Sequence, residues 1–389
     1  APRLRAAPLH AGPGRPAAPE FVDDAVAWAQ TTYPAAHLDV ADAGEGIVTS
    51  AIFWGVVDAT RHVPSHEAVL LFDRAAFPAD KWADMIGSLG IDGLRCEALP
   101  DAPLPAVRVA TAWGDVRDEL GLDDAAADES VSRLKEWVQD VIVDSKVCPF
   151  TRSADVAATG LEMAGVRPGP ILYPVCGAAG GGGAALARVL RAFWGSAIDL
   201  LQEPPEVAST TLLGCPAFAE RDHDAFSDMC DAVVKTLKHI GAEKELSLVF
   251  FHPDYERARV EPRDAFTHGH LPPQNWLRAY VALTEGFDEA AALTDAQLAN
   301  ADAQRRAPHT MINILRSEQV EAAEAVVPWE VIEPEAGRRV RVSGARVYAK
   351  NIYRFAKEAE TKTAPDGYAY LVAGRRSAAA VEKPAREAG

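Results

Sequence analysis

Between Val131 and Ala323 the apolar residues change period repeatedly, from the 3.6 spacing of a helix to short uninterrupted runs and back. That alternation leaves few folds open. Val131, Leu134, Trp137, Val138, Val141 and Ile142 share one helical face, behind Asp128 and Ser130 as cap candidates. Pro170–Val175 reads as a short strand. Leu186, Val189, Leu190, Phe193, Trp194, Ile198 and Leu201 then give an amphipathic helix stopped by Pro204-Pro205. Thr210–Leu213 is a strand, and Asp222 caps a helix with the stripe Phe226, Met229, Val233, Leu237 and Ile240, ended by Gly241. Leu246–Phe251 and Met311–Leu315 are further strands, the last followed by a helix through Val320 and Ala323. The pattern predicts an α/β fold, an α+β sandwich whose mixed sheet is covered by amphipathic helices.

The flanking regions divide the 389 residues into more than one unit. Residues 1–19 are rich in Pro, Ala and Gly and read as a flexible arm. Residues 20–115 form an N-terminal αβ region. It holds a helix with Phe21, Val22, Val26 and Trp28, strands over Gly46–Val57, Ala68–Phe72 and Val107–Ala110, and a helix at Lys81–Leu89 ended by Gly90. Residues 116–130 are an acidic, Ala-rich linker, 131–325 the α/β domain, and 326–389 a C-terminal extension. Ala68–Phe72 with Pro78 parallels Thr210–Leu213 with Pro216, either a divergent internal duplication or the chance likeness of common units. In the extension, Arg338–Val342 and Arg346–Tyr348 flank Ser343-Gly344 as a predicted hairpin.

Charge is unevenly spread. Residues 326–389 carry 12 Lys and Arg against 8 Asp and Glu, while 1–325 carry 27 against 48. An acidic body disfavours nucleic acid, and no apolar run is long enough for a membrane helix. A basic tail on that body could dock on a neighbouring copy, on another protein, or on its own chain. Five scattered cysteines without a CxxC pair read as reduced thiols. Arg3, Arg5 and Arg15 precede the first acid, Glu20, the bias of an organelle-targeting remnant or a disordered arm. A plastid stroma is the expected location, with the mitochondrial matrix or cytoplasm as alternatives.

Four islands occur in order: Trp137 leading into Cys148-Pro149-Phe150, then Thr210-Thr211-Leu212-Leu213, Phe251-His252-Pro253-Asp254-Tyr255, and Arg306 through Arg316. Together they make residues 131–325 resemble the bacterial and plastid family known as domain of unknown function 1415. The resemblance implies an α/β domain and no particular reaction. The family usually has Glu where this chain has Ser209, His at Asn313 and Glu at Ser317. Three ionisable positions are thus neutral here.

Candidate chemistry is sparse. Cys148 is the natural nucleophile, although it follows a helix, whose negative end disfavours a thiolate; the alternative is a small buried residue in a turn. His252, at a strand end, could act as a base oriented by Asp254 two residues on, or cap the sheet edge. Arg316 is a candidate anion-binding group. His268-Gly269-His270 lacks the further ligands zinc needs and reads as a solvated loop, so no metal or cofactor is expected. Gly177–Gly183 lacks the GK[ST] ending of a phosphate loop and reads as a flexible loop.

The leading expectation is therefore a non-catalytic structural or accessory protein of an organelle. It would associate with itself or other protein subunits through Arg338, Arg339, Arg341, Tyr348, Tyr353 and Phe355, charge steering the encounter and aromatics supplying affinity. The alternative is a thiol- and histidine-dependent enzyme acting on a small molecule through Cys148 and His252, with Asp254 and Arg316 in support. A carrier of a small ligand is a third class.

Overall fold

The computed structural model describes residues 16–113, 122–262, 265–268, 271, 273–325, 329–333, 338–341 and 344–374. The N-terminal region runs α1 (Pro19–Thr32), β1 (His37–Ala41), α2 (Gly46–Ala59), β2 (Glu67–Phe72), α3 (Ala79–Gly87), β3 (Leu94–Ala98) and β4 (Ala106–Thr111). Its sheet has the order β1-β2-β4-β3, with β1 parallel to β2 and the other neighbours antiparallel. There follow α4 (Asp124–Trp137), β5 (Val156–Ala157), β6 (Gly169–Leu172), α5 (Gly183–Gln202), β7 (Thr210–Cys215), α6 (His223–His239) and β8 (Leu246–Phe251). Four short helices come next: α7 (Ala265–His268), α8 (Gln274–Thr284), α9 (Phe287–Ala292) and α10 (Asp295–Ala303). Then come β9 (Thr310–Arg316) and α11 (Ser317–Ala325). The second sheet has the order β5-β6-β7-β9-β8, with β6 parallel to β7 and the other pairs antiparallel.

Apart from the edge strand β5 and the insertion α7–α10, the two halves repeat one topology. Each begins with a helix, continues strand–helix–strand–helix–strand–strand, and inserts its last strand antiparallel between the second and third. They meet through their helices. α2 packs on α5 and α3 on α6, and one hydrophobic core runs from Leu70 and Phe72 of β2, through Phe53, Trp54, Phe193 and Trp194, to Phe250 and Ile312 of the second sheet. Strand alternation sorts the rest. Val69 and Leu71 face away from that core, onto Ala25 and Ala29 of α1. Leu212, Phe251 and Met311 face outward onto Leu134 and Trp137 of α4.

Three expectations are corrected. Gly46–Val57 is helix α2, not a strand. It is apolar on every side because it lies between a sheet and α5, with Phe53, Trp54, Val56 and Val57 fully buried. A helix buried all round has no polar face to reveal its period. α4 starts within the expected linker: Asp123 is its cap, accepting the Ala126 N–H at 2.8 Å, so Asp128 and Ser130 are helical. Alanines 125–127 propagate the helix well. In the extension, β10 (Trp329–Glu333) pairs with β11 (Arg338–Arg341), whereas Arg346–Tyr348 belongs to α12 (Gly344–Glu358). The helical stripe Tyr348, Ile352 and Phe355 overrides the turn signal of Gly344. A second hairpin, β12 (Ala359–Thr363) and β13 (Ala369–Ala373), follows. Residues 1–15 of the expected arm, 116–121 of the expected linker and the tail beyond 374 lie outside the described residues.

Gly177–Gly183 is a packed loop. A Cβ on Gly181 would stand 2.5 Å from Ala225 Cβ, and one on Gly183 would stand 2.2 Å from the Asp92 carbonyl oxygen. Glycine lets the start of α5 touch both α6 and the N-terminal half. Because both halves share a core, Trp54→Ala should cost about 3–5 kcal/mol. Urea unfolding followed by far-UV circular dichroism and by tryptophan fluorescence should give one coincident transition. Two separated transitions would mean that the halves unfold independently.

Candidate functional site

The outer face of the second sheet carries a cavity of about 360 Å³. Alternation on the strands supplies its floor: Thr210 and Leu212 of β7, Asn313 and Leu315 of β9, Val249 and Phe251 of β8. Trp137 at the end of α4, the π-helical turn Val138–Asp144 that continues it, α11 and α12 close the other sides. The matching place in the N-terminal half, between α1 and its sheet, holds a cavity of only about 70 Å³.

Cys148 is on the wall. After the π turn, Lys146 takes a left-handed conformation (φ 52°), and the Cys148 N–H donates to the Ile142 carbonyl at 3.3 Å. Its sulfur accepts a hydrogen bond from Thr151 Oγ1 at 3.4 Å and lies 3.8 Å from the Tyr348 hydroxyl. Burial, with Cys148 beside it, pushes the Tyr348 phenol well above its ordinary value, so the hydroxyl stays protonated. Thr210 Oγ1 donates between Asn313 Oδ1 at 2.7 Å and the Ile314 carbonyl at 2.9 Å.

The three neutral family positions surround this floor. Asn313 accepts from Thr210. Ser209, fully buried, accepts from Gln319 Nε2 at 3.0 Å, and Ser317 shares a 3.1 Å hydrogen bond with Ser247. Neutral hydrogen bonds thus replace the expected charges. Sequence reading missed Arg305. It is buried, lies 5.4 Å over the Phe251 ring, and donates to the His268 carbonyl at 2.9 Å and more weakly to Phe250 O at 3.4 Å. Among the described residues no carboxylate is within ion-pair distance of it. Burial lowers its pKa from the usual guanidinium range. Its sequence neighbour Arg306 gave no reason to separate the two; only burial does.

The other candidates stand elsewhere. Cys148 and His252 are on opposite faces of the sheet. The His252 ring is fully buried and stacks on Phe226 of α6, with Nε2 2.7 Å from the Ala219 carbonyl and Nδ1 accepting the Asp254 N–H at 3.0 Å. Both nitrogens are used, and the neutral ring with its proton on Nε2 fits both partners. Asp254 itself is exposed and orients His252 through its backbone alone. Arg316 donates to the carbonyls of Leu200, Glu203 and Ala208, closing the C-terminal end of α5. His268 is buried and bonded to the Tyr255 hydroxyl at 3.0 Å, which corrects the solvated-loop reading; His270 lies outside the described residues. Among the described residues no three His, Cys, Asp or Glu side chains converge as metal ligands, and no helix is long and apolar enough to cross a membrane.

The expected clasp residues face their own chain. Phe355 is fully buried, Tyr353 donates to Glu289 Oε1, and the Tyr348 ring lies 6.4 Å from that of Phe150. Lys357 pairs with Glu289 and Lys362 with Asp140, so part of the tail's charge complementarity closes within the molecule. The side chains of Arg338, Arg339 and Arg341 lie outside the described residues.

Residues 129–273, from α4 to the start of α8, match the family model described as Protein of unknown function (DUF1415). This part of the chain belongs to that family. No curated protein and no solved structure matches the chain. The matched DUF1415 segment contributes Trp137, Cys148, Thr210 and Phe251 to the cavity, while Arg305, Asn313 and α12 come from beyond it.

Burial is the first cause holding the His252 pKa below its ordinary value, and it acts likewise on His223 and His239. The unfolded chain takes up these protons near pH 6.5 and the folded chain only lower. Stability is therefore full above about pH 6.5 and falls as pH drops below it. The urea midpoint should decrease from about pH 7.5 to about 5.5, and His252→Asn should remove part of that slope. A flat profile would mean that these rings titrate as in the unfolded chain.

Proposed function

We propose that the DUF1415 half binds a small amphipathic anion in the cavity beneath α12, and that the N-terminal half braces it. What carries this reading is a chamber of about 360 Å³ with mainly apolar walls and, on its lining, a buried Arg305 held by two carbonyls and the Phe251 ring, with no carboxylate in ion-pair contact among the described residues. Small-molecule sites are commonly 300–1,000 Å³, apolar, with a few convergent polar groups. A buried cation without a carboxylate partner gains most from a ligand that brings the opposite charge. The apolar body of such a ligand would lie along Leu212, Val249 and Trp137, with its acid group toward Arg305. The Thr210–Asn313 pair and the Tyr348 hydroxyl offer neutral hydrogen bonds. The near-closure of the corresponding space in the other half supports assigning binding to one half and bracing to the other.

The test uses two probes, 8-anilinonaphthalene-1-sulfonate and octanoate, each an apolar body with an anionic head. Both should bind the folded chain at one shared site, octanoate displacing the fluorescent 8-anilinonaphthalene-1-sulfonate. Arg305→Met should weaken binding at least about tenfold, the scale of a lost charge-assisted hydrogen bond. Val320→Trp should block the cavity while leaving Arg305 in place. If both folded variants bind these probes as the parent chain does, the cavity is not the ligand site.

A further inference from the structure

The structure places two cysteines together on the sheet face opposite the cavity. Val175 forms a parallel bridge with Gly214, and the Cys176 N–H donates to the Gly214 carbonyl at 2.8 Å. Cys176 and Cys215 are therefore the next neighbours across, at the C-terminal ends of the β6 and β7 segments. Neighbouring strands run about 4.8 Å apart, inside the Cα separations that a disulfide accepts. Each thiol shifts the titration of the other, as close neighbours do. We propose that Cys176 and Cys215 form a reversible disulfide by exchange with a small disulfide such as oxidised glutathione, Cys176 attacking and Cys215 resolving.

Position and electrostatics separate the two roles. Cys176 is half-buried, in reach of a small molecule, whereas Cys215 is fully enclosed by the helix-side core. The Cys176 thiol is held below its ordinary value, first by the neighbouring Cys215 thiol. The Ala178 backbone and the Arg188 guanidinium assist, against burial and the Asp58 carboxylate. Arg188 is itself held 3.6 Å from Asp58 of α2, so the N-terminal half helps to position the cation. Cys215 is pushed well above its ordinary value by the same thiol contact and by burial. A more exposed thiol of lowered pKa in front and an enclosed thiol of raised pKa behind is the division that exchange requires. Cys96, also half-buried, shows the contrast: burial raises its thiol to about 12.

In the first step the Cys176 thiolate attacks one sulfur of oxidised glutathione. The glutathione S–S bond breaks, one glutathione thiolate leaves, and a mixed disulfide remains on Cys176. In the second, Cys215 loses its proton and its sulfur attacks Cys176 Sγ, expelling the second glutathione thiolate, which is protonated. Two electrons pass from the protein thiols to the small disulfide. The product ties the loop that opens α5 to the central strand β7.

Incubating the native full chain with oxidised glutathione should yield a species with two fewer free thiols. Peptide mapping should find Cys176 linked to Cys215. Cys215→Ser should stop at one glutathionyl group on Cys176, and Cys176→Ser should leave Cys215 unmodified. In the reduced parent chain, which needs no variant to fold, N-ethylmaleimide should label Cys176 at least about tenfold faster than Cys96, as its greater thiolate character requires. The proposal is overturned if both thiols stay free, if the mixed disulfide on Cys176 persists in the parent chain, or if Cys96 labels as fast as Cys176.

Discussion

The packing of α2 on α5 is the contact on which the rest of the molecule depends. Each helix closes the inner face of its own sheet; α2 has no exposed residue, and short of its last residue α5 keeps only a narrow exposed edge at Arg191 and Asp199. Separating the halves would expose Phe53 and Trp54 on one and Phe193 and Trp194 on the other, apolar patches that an isolated domain rarely keeps in water. The glycines at the start of α5 serve the same contact by admitting the Asp92 carbonyl and Ala225 where a side chain would collide. Two topologically equal halves thus behave as an internal dimer joined through their helices.

That arrangement assigns different work to the two faces of the second sheet. The inner face is dry and filled, and its polar intrusions are neutralised: His252 by two backbone partners, Arg316 by three carbonyls at the end of α5. The outer face is covered less completely, by α4 with its π turn, by α11 and by α12. The uneven cover leaves the cavity. Arg305 at its edge is a buried cation with no carboxylate in ion-pair contact among the described residues, and such a charge gains from a ligand that brings the opposite one. Arg188 works differently, held by an aspartate of the opposite half beside the thiol pair.

Much of this was legible in the chain. Leu246–Phe251 has the strand bounds read from its apolar run, and Asp222 and Gly241 bracket α6 as their cap chemistry requires. Misreadings fell where a helix lacks a polar face, as in α2, or where a turn residue sits inside a helical stripe, as Gly344 does at the start of α12. The site was less legible. Cys148 stands on the cavity wall, but His252, one position beyond the cavity-lining Phe251, points to the other side of the sheet.

Local pattern determined what local physics controls: which segments are helix or strand, which residues cap them, and that a mixed sheet must be covered by helices. It also carried the family resemblance, through four islands spaced along the chain. Only the tertiary structure decided that the two halves repeat one topology and share a core, because strand order depends on pairings far apart in sequence. It alone decided that α12 and its aromatics fold onto their own chain, that Arg305 rather than Arg306 lines a cavity, and that Cys176 meets Cys215. Each is a matter of which face a side chain takes and what lies opposite, and no periodicity in one segment records its distant neighbour.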